Sequence, residues 1–303
     1  RLPLRPPVIA GPPSRTEDLE PPGHDRTTTL AALLTSNSAR DRDLPGLRWL
    51  FFEAALFTGV SLVVSQGLGL EQPGVIALFL AAGALGSRAK EILHLSETAA
   101  ESRASTQLLA LFAGISLAYA GAAATLPAPE VARSFAFALE AADVDGGHLL
   151  ERAFPGVAPV FGHNLVVLAT VMVLSFVYRS FGALLAVAWN AAVWGTVLTV
   201  LLRRAVDAGD GATALVLGLA ILPHLGLEAY GYVVGGLAGA RLGRQLTRRT
   251  RLALPFRAAG TAAATLLLAA IVEATVPPTL RGWLDDSTST RAVRCMEAER
   301  WTC

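Results

Sequence analysis

The chain has 303 residues, of which 53% are hydrophobic and 16% charged, with a net charge of +1 and a mean hydropathy of +0.49. A soluble domain carries about a quarter charged residues, so an ordinary soluble fold is excluded, and the balanced charge points to no nucleic-acid partner. The apolar residues gather in runs of roughly 15 to 25, the length that crosses a bilayer as a helix. They are continuous and rich in Leu, Ala, Val and Gly, where barrel strands would alternate.

Residues 1–45 are rich in Pro, Arg, Ser, Thr and Asp and have little to bury, so they are expected to form a disordered arm. Residues 46–126 hold three expected spans: Leu47 to Leu70, a short one from Val75 to Gly86, and Gln107 to Leu126. The polar stretch from Ser87 to Thr106 is expected as a solvated loop or helix between the last two. Residues 127–160 form a longer polar insert, expected to hold an amphipathic helix lying on the membrane surface.

Residues 161–278 carry four further spans. They run from Phe161 to Tyr178, Phe181 to Leu202, Ala214 to Ala240 and Ala258 to Val276. Pro223 lies inside the third of these and should kink it, because proline removes one helical hydrogen bond. Residues 279–303 are a polar tail with both cysteines, Cys295 and Cys303.

The expected fold is therefore an all-α polytopic bundle of about seven spans. Arg40, Arg42, Arg48, Arg88, Lys90, Arg179 and the basic run from Arg241 to Arg257 then share one side, which the positive-inside rule makes cytoplasmic. The N-terminus is placed in the cytoplasm and the tail outside, where a disulfide between Cys295 and Cys303 can form; two free thiols are the alternative. Arg203 and Arg204 fall on the opposite side, against the rule, unless they snorkel or sit inside the protein.

Ionisable residues within apolar spans are costly and face the bundle interior. The candidates are His163, Asn164, Asn190, His224, Glu228 and Glu273. His224 and Glu228 are four residues apart, on one face of their helix, and Gly231, Gly235 and Gly239 continue that face. Small residues at that spacing let another helix approach, so the imidazole and the carboxylate are carried into a packed region. Depth along the helices lets all six converge in the outer half of the bundle.

Two uses compete. The polar groups can hydrogen-bond each other and fix packing, or they can hold a proton, a metal or a polar substrate group. His163, His224, Glu228 and Glu273 would suit a divalent metal such as zinc, and His224 with Glu228 would be the catalytic pair of an intramembrane hydrolase. The zinc-protease His-Glu-x-x-His spacing is absent from the sequence.

These blocks resemble the stage II sporulation protein M family. Phe161-Gly162-His163-Asn164 stands where that family opens a helix with an Asn pair, and Trp189-Asn190-Ala191 stands at its Asn-Gly. Leu222-Pro223-His224-Leu225-Gly226-Leu227-Glu228 matches its Pro-His-Gly-x-x-Glu helix, with Leu225 for Gly. Ala270-Ile271-Val272-Glu273-Ala274 matches its final Ile-Glu-Ala, with Val272 between Ile and Glu. The resemblance covers Ala158 to Pro278 and, more weakly, the first three spans.

It implies a non-enzymatic scaffold in a bacterial or archaeal cytoplasmic membrane. Such a scaffold recruits other envelope proteins, works beside a cytoplasmic ATPase in some relatives, and can self-associate. A transporter subunit is the remaining alternative. Membrane lipids are partners in every case.

Overall fold

The computed structural model describes residues 46–97, 101–142, 156–207, 211–248 and 255–275. The expected arm at 1–45, the tail with Cys295 and Cys303, and the central part of the 127–160 insert lie outside the described residues.

Among the described residues every regular element is a helix. In chain order these are α1 (Leu47–Gly67), α2 (Pro73–Ala84), α3 (Gly86–Glu97), α4 (Glu101–Thr125), α5 (Ala128–Ser134), α6 (Ala136–Ala141), α7 (Val157–Tyr178), α8 (Ser180–Asp207), α9 (Gly211–Thr247) and α10 (Phe256–Thr275). Five of them, α1, α4, α7, α8 and α10, are long and apolar enough to cross a membrane.

The expected short second span is α2, whose 12 residues reach only about 18 Å against a hydrocarbon core of about 30 Å. It does not end cleanly. The Leu85 N–H bonds the carbonyl of Ala81, and the Ala89 N–H bonds that of Leu85. α2 and α3 thus form one helical path with a break at Leu85.

The helix around Pro223 is the longest, 37 residues or about 55 Å. Pro223 lacks an N–H, so the Leu219 carbonyl loses its helical partner; the helix continues through it.

Packing fixes the directions. Ser116 on α4 donates to the Ala191 carbonyl of α8 at 3.1 Å. Some two to three turns further along, Arg203 of α8 reaches the carbonyls of Ala123 and Leu126 at 2.7 and 2.8 Å, so α4 and α8 run parallel. Asn164 lies level with Glu228, and Arg179 with Thr247, so α7 and α9 also run parallel.

The end of α3, the start of α4 and the last turns of α9 meet where Arg241 pairs with Glu101 at 3.1 Å and donates to Ser96 at 3.2 Å. That end also carries the α7–α8 turn, and is called the basic end below.

The bundle has two cores. The larger joins α1 to α6, α8 and α9 around Leu50, Leu78, Leu111, Ile115, Leu184 and Leu237. The smaller joins α7, α8, α9 and α10 through Leu168, Val171, Ala186, Tyr232 and Leu266.

Backbones approach closely at glycine. A Cβ at Gly114 would strike the Phe51 carbonyl of α1, and one at Gly195 the Ser116 carbonyl of α4. The described part of the insert differs from a single surface helix. α5 and α6 are two short helices folded against the bundle end opposite the basic one. Phe135 is fully buried beside Tyr119, ring centroids 5.7 Å apart, and Phe137 lies 5.1 Å from Trp189. Tyr119 donates to the Gly74 carbonyl at 2.7 Å, fixing the start of α2 to the same place.

Candidate functional site

The site forms where α7, α8, α9 and α10 meet. α9 supplies three groups on one stripe: His224, Glu228 and Tyr232, at steps of four residues. Below them on α9, Gly235, Gly239 and Gly243 let α7 press in. A Cβ at these three would strike Leu168, the Met172 carbonyl and the Phe176 carbonyl in turn. The expected glycine face is therefore the contact with α7, extended by Gly243, while Gly231 accommodates Leu266 of α10. The close approach is what brings a short side chain such as Asn164 within reach of Glu228.

Asn164 Nδ2 donates to Glu228 Oε1 at 2.6 Å, and Tyr232 Oη donates to Asn164 Oδ1 at 3.2 Å. The asparagine is thus used at both ends of its amide. The residues involved are buried, with Asn164, Glu228 and Tyr232 each 4% exposed. From α8, the Trp194 ring meets His224 edge to face, with centroids 5.6 Å apart, and His224 is 3% exposed. From α10, Glu273 is half-buried and close enough to Glu228 and Tyr232 for their charges to interact.

Four of the six expected residues, Asn164, His224, Glu228 and Glu273, are therefore brought together. The other two are not. His163 is exposed, because the neighbouring position on a helix is turned about 100° away from Asn164. Asn190 is half-buried and donates back to the Ala186 carbonyl of its own helix at 2.9 Å. Of the four candidate metal ligands, His163 is exposed and turned away from His224, Glu228 and Glu273. Among the described residues, no three His, Cys, Asp or Glu side chains are grouped as a metal site.

Trp194 and Tyr232 belong to the site although their types did not single them out. Tyr232 was legible as the next step of the His224–Glu228 stripe. Trp194 was not, because its partner lies across a helix contact.

A family model described as stage II sporulation protein M matches residues 107–278, more than half of the chain. The chain belongs to the stage II sporulation protein M family. The match begins in α4 and ends just past α10, so all four helices of the site lie within it. Searches of curated proteins and of solved structures found no match. Together with five helices apolar and long enough to cross a bilayer, membership makes this a membrane protein of the stage II sporulation protein M family.

In chemical terms, the site of this family member is a hydrogen-bonded chain of three side chains inside an apolar bundle. Tyr232–Asn164–Glu228 cross-links α7 to α9, and Trp194 packs against His224 from α8. A buried polar group that lacks a partner costs about 1–3 kcal/mol. Each of the two hydrogen bonds therefore favours this arrangement of α7 and α9 over slipped alternatives.

Proposed function

We propose that the chain is a multi-pass scaffold of the bacterial or archaeal cytoplasmic membrane, which holds partner proteins of the cell envelope through its ends and outer faces. The observation that carries this reading is the Asn164–Glu228 hydrogen bond with its Tyr232 extension. Two polar groups of the family blocks, Asn164 and Glu228, are engaged with each other across α7 and α9, which fixes the bundle as a scaffold requires.

In this reading the chain crosses seven times, with α2 and α3 together making the second, broken crossing and α9 the sixth. The basic end is cytoplasmic by the positive-inside rule; residues 1–45 lie inside, and the tail with Cys295 and Cys303 outside. The partners are other envelope proteins, a cytoplasmic ATPase among them, and further copies of the chain.

The test is Glu228→Gln against Glu228→Ala in native membranes. Gln keeps the acceptor for Asn164 and removes the charge. The scaffold reading expects Glu228→Gln to retain partner assembly and Glu228→Ala to lose it. If Glu228→Gln loses function as fully as Ala while the bundle stays folded, the scaffold reading is wrong.

A second reading rests on the closeness of Glu273 to Glu228. Two carboxyl groups beside a histidine could serve proton-linked transport, or hydrolysis with His224 and Glu228 as the catalytic pair. Both need the carboxyl group itself, so the same Gln variant separates them from the scaffold.

A further inference from the structure

The turn between α7 and α8 is a single residue, Arg179, at φ 56° and ψ −126°. It is the one non-glycine residue with positive φ among the described residues. An L side chain is strained at this positive φ, and glycine would not be. A backbone position that favours glycine but holds arginine points to a use for the side chain.

That side chain is exposed and aimed. Its Nη2 donates to Thr247 Oγ1 at 2.8 Å, and Thr247 in turn donates to the Gly243 carbonyl at 2.8 Å. Arg248 follows at once, exposed, with its backbone N–H bonded to the Arg244 carbonyl. Arginine is the side chain whose planar fork matches a phosphate in two-point contact.

The surroundings add charge and a level. From Arg241 to Arg257 the sequence has six arginines and no acidic residue, and Arg241 is matched by Glu101. α7 and the α7–α8 turn carry no acidic residue either, and α8 has none before Asp207. Beside the arginines stand exposed apolar side chains, Tyr178 at 59% and Leu246 at 52%. Aromatic and apolar groups next to arginine at the end of a span mark the headgroup level of a bilayer.

We propose that the basic end binds anionic phospholipid headgroups at the α7–α8 turn, with Arg179 and Arg248 contacting the phosphate and Tyr178 and Leu246 lying among the first acyl carbons. Thr247 positions Arg179 for this. The site is separate from the buried network and does not depend on the scaffold reading.

The experiment uses the purified full chain, stripped of lipid in detergent and titrated with phosphatidylglycerol, phosphatidylcholine of the same acyl chains, or inorganic phosphate. Phosphatidylglycerol should bind at least about five-fold more tightly than phosphatidylcholine. Arg179→Gly and Arg248→Gln should each lower its affinity about five-fold, the effect of one arginine at a charged lipid surface. Arg179→Gly suits the backbone of the turn, so its loss of binding is not a loss of fold; helix content by circular dichroism checks this.

Equal affinity for the two lipids would overturn the proposal. So would wild-type phosphatidylglycerol affinity in both folded variants. Inorganic phosphate binding as tightly as phosphatidylglycerol would assign the site to a free anion and overturn the lipid.

Discussion

Asn164 and Glu228 lie 64 positions apart in the chain and meet at 2.6 Å in the middle of the helix bundle. The contact needs both an asparagine at a buried position of α7 and the glycine face of α9 that draws the two helices together. Removing Asn164 by Ala leaves the carboxylate with one donor fewer. Within membranes such bonds average about 0.6 kcal/mol and reach about 1.7, and a buried acceptor left unpaired adds to this. Asn164→Ala should destabilise the bundle by about 1–2 kcal/mol in reversible unfolding in bicelles, and Glu228→Gln by less. A larger loss for Gln than for Asn164→Ala would show that the charge, and not the bond, matters.

The glycine contacts make a sharper comparison. A Cβ at Gly239 would collide with the Met172 carbonyl, backbone that cannot swing aside, whereas one at Gly162 or Gly121 meets nothing within 4 Å. Gly239→Ala should cost about 1–3 kcal/mol, the usual range for overpacking. Gly121→Ala, in the penultimate turn of α4, should be neutral or stabilising by up to about 1 kcal/mol. The difference between the two variants, measured by the same unfolding assay, is the quantity to compare.

Arg179 offers a test of backbone strain that no contact can imitate. Arg179→Ala removes the Thr247 bond and keeps the left-handed conformation. Arg179→Gly removes the same bond and relaxes the conformation. Glycine should therefore be more stable than alanine by about 1 kcal/mol, although glycine elsewhere in a chain is the weaker choice. Equal stability of the two would mean that the turn is not strained.

Arg203 is expected to matter for stability. Its guanidinium sits on the last carbonyls of α4, groups that no helical N–H can reach. Arg203→Met keeps the stem and removes the donors, and should cost about 1–3 kcal/mol. Arg203→Lys should recover part of the loss, since an ammonium can still interact with a helix C-terminus. If the bundle is equally stable with methionine, the cap contributes nothing.

Much of this architecture is written in the sequence. The apolar runs located α1, α4, α7, α8 and α10 within a few residues, because a bilayer imposes one length on every crossing. The periodicity of His224, Glu228 and the glycines exposed the packed face of α9 before any neighbour was known. What the sequence leaves unsaid is rotation and partner choice. His163 and Asn164 are adjacent and both polar, yet only one turns inward, and that depends on where α9 lies. Asn190 reads like a core polar residue, but its amide bonds the Ala186 carbonyl of its own helix. α2 looked like a short span because apolar windows do not see that its helix continues past Leu85 into the charged α3, where Arg88 meets Glu53 of α1 at 3.1 Å. The insert was expected as an amphipathic surface helix, but in its described part Phe135 and Phe137 face Tyr119 and Trp189.

The placement of Arg203 has a consequence for assembly. The donor is in α8 and the acceptors are at the end of α4, so α4 does not finish its hydrogen bonding until α8 has arrived. A chain emerging from its N-terminus would hold α4 with open carbonyls through the synthesis of α5, α6 and α7, and would close them only when α8 enters. Two fragments divided between α6 and α7 should therefore each be incomplete alone and recover stability when they are produced together. The arginine that counts as misplaced when charges are tallied by side would then be the joint at which the early and late halves of the protein recognise one another.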